Sequence, residues 1–181
     1  MQPDELTHEK VLQFSNLIKE YTGINFDEYK WLGLRISIKE RMMACGITET
    51  ELYFARLKSD LQEKDELVSL LTVPETYFFR DKKQFDVLRD KILPEMVEKR
   101  CKLNVGKPLI RIFSMGCSTG EEPYSLAIAV HQSGLMKRCE FEIIACDISK
   151  NSLAKAVKGE YTRYSFREKN TEFLENYFTN R

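Results

Sequence analysis

The sequence predicts a two-part, α+α/β chain: a small N-terminal helical bundle over residues 1–72, then part of an α/β domain over 73–181. Three observations carry that prediction. Before residue 72 the apolar residues recur at three-to-four spacing and no strand-like run appears. A short apolar run, Leu109, Ile110, Ile112 and Phe113, then enters the turn Gly116-Cys-Ser-Thr-Gly120 and a helical segment. After that helix a second apolar run, Phe141 to Ala145, ends on Asp147. Strand, glycine turn, helix, strand is the opening unit of a doubly wound, Rossmann-like sheet, which takes ligands at the carboxyl ends of its strands.

In the bundle, Val11, Phe14, Ile18 and Tyr21 line one helix face between Thr7 and Gly23, a capping residue and a stop. A second helix is expected from about Glu28 to Cys45, before Gly46. Thr48 with Glu51 reads as a capping box for a third, and a fourth falls near Glu63–Leu71, ahead of Pro74. On the second helix Lys30, Arg35, Lys39 and Arg41 outnumber Glu28 and Glu40. That bias reads either as a solvated face or as a docking surface for an acidic partner.

Residues 71–81, Leu-Thr-Val-Pro-Glu-Thr-Tyr-Phe-Phe-Arg-Asp, form a hinge. Three consecutive aromatics on a connector should be partly buried, holding Arg80 at the rim. Thr76 and Arg80 are therefore candidates to line a pocket. A helix follows from about Lys82, interrupted at Pro94.

The run at Leu109–Met115 carries bulk on both faces and is expected to be buried on both. Gly116 and Gly120 allow close approach to a ligand. The same turn matches G-x-S-x-G, the nucleophile elbow of serine hydrolases. An elbow needs a histidine base, and this chain has only His8 and His131, with none after the latter. Glu121, Glu122 and Pro123 lead into the helical run Tyr124–Ser133. A pyrophosphate would be repelled by two carboxylates where it normally sits, which points away from NAD or ATP. A nucleoside with a positively charged tail suits the site, and S-adenosylmethionine is such a ligand. Asp147, at the tip of the second strand, reads as the acceptor for both ribose hydroxyls ahead of the alternative, a loop acid beside Ser149. Ser149 reads as an N-cap, and Ser165 with Glu168 as a second capping box.

Composition excludes several classes. Twenty-eight basic residues balance twenty-eight acidic ones, so bulk charge indicates no nucleic-acid or membrane partner. Five cysteines without C-x-x-C spacing and two isolated histidines make neither a metal site nor a disulfide framework. No run is long enough to span a membrane, and the N-terminus lacks the order of a signal peptide, so a cytoplasmic location is expected.

Three motifs in order, Thr76-Tyr77-Phe78-Phe79-Arg80, Cys117-Ser-Thr-Gly-Glu-Glu-Pro-Tyr-Ser125 and Ile144-Ala-Cys-Asp-Ile148, resemble the signatures of the bacterial CheR-type chemoreceptor glutamate methyltransferases. The likeness covers nearly the whole chain, the helical N-terminal part included. It implies a cytoplasmic S-adenosylmethionine-dependent protein-glutamate O-methyltransferase of chemotaxis signalling, with S-adenosylhomocysteine as product. By the same resemblance the second part is a partial class I methyltransferase domain. Thr76, Arg80, Gly116, Glu121 and Asp147 would then bind the cofactor, with Arg80 also catalytic. Arg35, Lys39 and Arg41 would face the receptor helices.

There are two departures. Pro74 stands where the family more often has asparagine, and roughly a hundred further residues of the catalytic domain are absent. The central strand therefore has only one neighbour. That points to a fragment of a longer polypeptide, a subunit completed by another chain, or self-association. The competing function is a module that binds S-adenosylmethionine or docks on receptor without transfer.

Overall fold

The computed structural model describes residues 5–72, 74–103 and 106–179. The chain divides into two compact units, Met1–Val73 with Ile148–Asn151, and Pro74–Asp147 with Ser152–Arg181. Within them run α1 (His8–Thr22), α2 (Trp31–Ala44), α3 (Thr50–Ser59), α4 (Leu61–Leu71), α5 (Lys82–Val87), α6 (Leu93–Leu103), β1 (Leu109–Met115), α7 (Glu121–Gln132), β2 (Glu140–Cys146) and α8 (Lys150–Lys158). Val73, the hinge residue before Pro74, lies outside the described residues.

The first unit is helical, as its periodicity predicts. Thr7 caps α1 by accepting from the Lys10 amide, and Gly23, at φ 76°, ends it in the left-handed region open to glycine. The core is built from one stripe per helix: Val11, Phe14 and Ile18; Leu34, Ile38 and Met42; Tyr53 and Leu57; Leu67. Trp31 is packed into it, its indole N–H donating to the Phe26 carbonyl at 2.9 Å.

Some helix starts differ from expectation. Residues 28–30 form a 3-10 turn, so α2 begins at Trp31. Helix α3 starts at Thr50 with Glu49 before it, and the Thr48–Glu51 capping box does not form. Helix α4 begins two residues early because Asp60 caps it, accepting from the Glu63 amide at 3.1 Å.

The basic face of α2 is smaller than its sequence suggests. Arg41 turns inward and grips Glu63 with both Nε (2.9 Å) and Nη2 (2.7 Å). Tyr53 (2.8 Å) and Cys45 (3.2 Å) donate to the same carboxylate. Arg35 donates to the Leu6 carbonyl and is half-buried. Of the three cations expected to face a partner, only Lys39 is exposed. Beside it α2 exposes Leu32, Ile36 and Met43.

In the second unit the sheet is parallel, with β1 paired to β2 from Leu109↔Glu140 to Met115↔Cys146. Its inner face buries Ile110 and Ser114. The outer face exposes Leu109, Phe113, Met115 and Ile144, contrary to the expectation of a strand buried on both sides. Among the described residues no helical layer covers that face, and a parallel sheet normally has one on each. Between α5 and α6 the helix widens into a π-turn at Leu88–Ile92, where the Leu93 amide bonds to the Leu88 carbonyl. Pro94, which has no amide and crowds the preceding turn, accounts for the irregularity. Residues 163–166 and 172–176 are short 3-10 turns rather than the helix expected behind Ser165. The Ser165 hydroxyl is bonded to Glu121 instead of capping.

Candidate functional site

The turn after β1 is fastened to the end of β2. The amides of Gly116 and Cys117 both donate to the Cys146 carbonyl, at 2.8 and 2.9 Å. One residue on, the Ser118 amide donates to Asp147 Oδ2 at 2.7 Å. The chain can make this bend because Gly116 and Gly120 take φ values of 75° and 98°. Ser118 is held at φ 48° without being glycine, and its buried hydroxyl has no hydrogen-bond partner. Strain of this kind costs about 1–3 kcal/mol per residue and collects at ligand sites. The hydrolase reading gains nothing from it, because the His131 ring is bonded to the Tyr177 hydroxyl at 2.9 Å.

The hinge supplies the opposite wall. Phe78 and Phe79 are buried. Phe78 packs against Tyr161, Phe166 and Phe178, and Phe79 against Phe85 and Phe173, at centroid separations of 4.8–5.1 Å. Burying the aromatic pair leaves Arg80 outside, with Nη1 donating to the Glu75 carbonyl at 2.8 Å. The neighbouring Tyr77 ring is covered by the Arg167 guanidinium at 3.9 Å, and Tyr164 covers that guanidinium at the same distance.

Between hinge and turn lies a small cavity of about 90 Å³, bordered by Thr76, Tyr77, Arg80, Gly116, Ser118 and Glu122, with Glu75 and Phe85. The structure thus brings Thr76, Arg80 and Gly116 together. Asp147 is not a lining residue, but its carboxylate is bonded to the backbone of Ser118, which is. Glu121 is elsewhere: it is 3% exposed, with its carboxylate between the hydroxyls of Thr119 (2.6 Å) and Ser165 (2.8 Å).

The acid that borders the cavity is Glu122, which accepts from Ser114 Oγ at 2.6 Å. Sequence reasoning missed that distinction, though a signal existed. Glu121 shares a helix face with Ser125, Ile128 and Ala129, the buried side of α7, and Glu122 is turned about 100° from it. A larger open groove of about 850 Å³ lies against Tyr124, His131, Lys158, Tyr177 and Phe178, and none of the expected residues border it. Among the described residues no cluster of three or more His, Cys, Asp or Glu side chains is placed to hold a metal ion. No helix among them is long and apolar enough to cross a membrane.

The family model described as CheR methyltransferase, all-alpha domain, matches residues 10–72, and that described as CheR methyltransferase, SAM binding domain, matches residues 74–181. A chemotaxis protein methyltransferase of Listeria innocua is 32% identical over 165 residues, covering 89% of this chain and 58% of the relative. Chemotaxis protein methyltransferase 2 of Vibrio cholerae is 31% identical, with 96% of this chain and 60% of the relative covered. A probable biofilm formation methyltransferase, WspC, of Pseudomonas putida is 32% identical over 92% of this chain and 38% of its own length. The chain therefore spans between about two fifths and three fifths of these relatives. With both family models matched in order and together spanning most of its length, the chain belongs to the CheR methyltransferase family.

Proposed function

We propose that this chain carries the donor-binding half of an S-adenosylmethionine-dependent protein-glutamate O-methyltransferase acting on chemoreceptors in the cytoplasm. The observation that carries the reading is the meeting of Arg80 and Glu122 across one small cavity at the glycine turn. A cation and an anion on one cavity complement the carboxylate and ammonium of an amino-acid tail. Ser118 adds a buried hydroxyl that lacks a partner. Asp147, bonded to the same turn, stands where a carboxylate can accept from ribose hydroxyls.

At about 90 Å³ the cavity is well below the 300–1,000 Å³ common for small-molecule sites. Arg80 and Glu122 would hold the amino-acid end of the donor there, and Asp147 would be available to its sugar. When bound, S-adenosylmethionine supplies a methyl group made electrophilic by its sulfonium. A glutamate carboxylate, with an ordinary pKa near 4.3, is ionised at neutral pH and needs no general base to accept it. The chain's own work is alignment: Arg80 and Glu122 fix the tail, Asp147 the sugar, and the buried hinge aromatics exclude water from one side. The α2 face with Lys39, Leu32, Ile36 and Met43 is offered to the receptor helices.

Calorimetry of the chain with S-adenosylmethionine tests the reading. Saturable binding is expected, weakened about 10-fold or more in Asp147→Ala, which loses charge-assisted hydrogen bonds of about 1.5–3 kcal/mol. An affinity unchanged by that substitution rejects the ribose role. In a labelled-methyl assay on receptor, Arg80→Ala is expected to lower transfer about 100-fold, the scale of a misplaced reactant. Wild-type rates in that variant reject the orienting role. Binding without any transfer by the unaltered chain favours the competing reading, a donor-binding module.

A further inference from the structure

Glu121 and Glu122 are neighbours in sequence with different surroundings. Glu122 borders the cavity, whereas Glu121 is the point on which three hydroxyls converge. Thr119 Oγ1 donates to its Oε2 at 2.6 Å, Ser165 Oγ to its Oε1 at 2.8 Å, and Ser125 Oγ to its backbone carbonyl at 2.6 Å. Two of those residues hold the hinge. The Phe78 amide donates to the Ser165 carbonyl at 2.8 Å, and the Phe79 amide to Ser125 Oγ at 2.9 Å. Both amides of the buried aromatic pair therefore trace back to one residue at the start of α7.

The need for this anchor is visible in the backbone. Phe79 stands at φ 55° and Asp81 at φ 59°, conformations that bulky L-residues leave unless their surroundings hold them. The chemistry of the anchor is equally specific. A hydroxyl has one proton to give. That of Ser125 goes to the Glu121 carbonyl, leaving its lone pairs for the Phe79 amide. That of Ser165 goes to the Glu121 carboxylate, which only accepts. An apolar side chain at 121 would leave the Ser165 and Thr119 protons without these acceptors in a buried setting.

We propose that Glu121 is a positioning residue for the donor site, its carboxylate acting through Ser165 to hold the hinge so that Thr76, Tyr77 and Arg80 face the glycine turn. It does not touch the ligand. The proposal rests on the methyl-donor reading above and adds to it how the hinge wall is kept in place.

Amide hydrogen exchange at Phe78 and Phe79 and S-adenosylmethionine calorimetry, run on the chain and on Glu121→Ala, Glu121→Gln and Ser165→Ala, test it. Glu121→Ala and Ser165→Ala are expected to lose about tenfold protection at the Phe78 amide, while the Phe79 amide, held through Ser125 by the Glu121 backbone carbonyl, and the amides of the β1–β2 ladder keep theirs. The dissociation constant should rise about tenfold, equivalent to one hydrogen bond. Glu121→Gln should stay within about threefold of the parent, because its amide accepts from one hydroxyl and donates to the other.

Val97→Ala, in the separate cluster with Ile110 and Cys139, is the stability control and should leave affinity unchanged. Parental protection of Phe78 in Glu121→Ala would overturn the proposal. So would an equal loss of affinity in a Val97→Ala chain of matched melting temperature. Absence of donor binding by the parent chain would sink the methyl-donor reading instead, and the exchange data would still report whether Glu121 holds the hinge.

Discussion

Glu63→Ala is expected to destabilise the helical unit by about 3–5 kcal/mol, the usual penalty for removing one partner of a buried ion pair. The carboxylate side chain is 2% exposed and the Arg41 side chain 19%, so water compensates neither group well. The loss has several parts. Arg41 keeps its charge with its bidentate acceptor gone, and the buried Tyr53 hydroxyl and the Cys45 thiol lose theirs. Burial alone pushes the Glu63 carboxyl up. The hydrogen bonds from Arg41, Tyr53 and Cys45, with the Arg41 charge, outweigh it and hold the group below the usual carboxylate range.

A group lowered in the folded state contributes its stability above the unfolded value, near 4.3, and loses it as pH falls through the folded value. The stability gap between parent and Glu63→Gln should therefore be full at neutral pH and shrink below about pH 4. Chemical denaturation across that range measures it. A gap independent of pH would mean that the ionised carboxylate is not the stabilising species.

Gly120→Ala is expected to cost the second unit about 2–4 kcal/mol, combining strain at positive φ with overpacking. A Cβ at this position would stand 2.8 Å from Ala156 Cβ and 2.8 Å from the Tyr161 hydroxyl, with the Ala156 backbone at 3.0 Å. No rotation of a side chain relieves a contact with helix backbone. Gly134, also at positive φ but with nothing within 4 Å, is the natural control. Its alanine variant carries the strain without the collision. Equal costs at the two positions, by denaturant titration, would show that the packing of α8 on the turn contributes nothing.

Features set by neighbouring residues could be read from the sequence. Thr7 and Gly23 delimit α1 by local chemistry, and the apolar runs into Gly116 and Asp147 mark two strands and the connection between them. The hinge could be read because three adjacent aromatics on a connector demand burial, which leaves Arg80 at a rim. What stayed hidden depends on partners far along the chain. Arg41 read as a surface cation because Glu63 lies 22 residues away. Ser165 read as a helix cap because its true acceptor, Glu121, is 44 residues distant. Glu121 was assigned to the ligand by the resemblance, and two adjacent acids in a motif do not themselves say which one faces the turn. Starting α7 at Glu121 turns that acid to the buried face and Glu122 to the cavity.

Trp31, the single tryptophan of the sequence, has its indole N–H bonded inside the helical unit. Its emission is thus a spectroscopic label for that unit alone, carried without any dye. The cavity at the glycine turn is bordered by Tyr77 and Phe85 instead, so excitation at the red edge of indole absorbance leaves it dark. One cuvette can then follow melting of the bundle while a ligand titrates the other half.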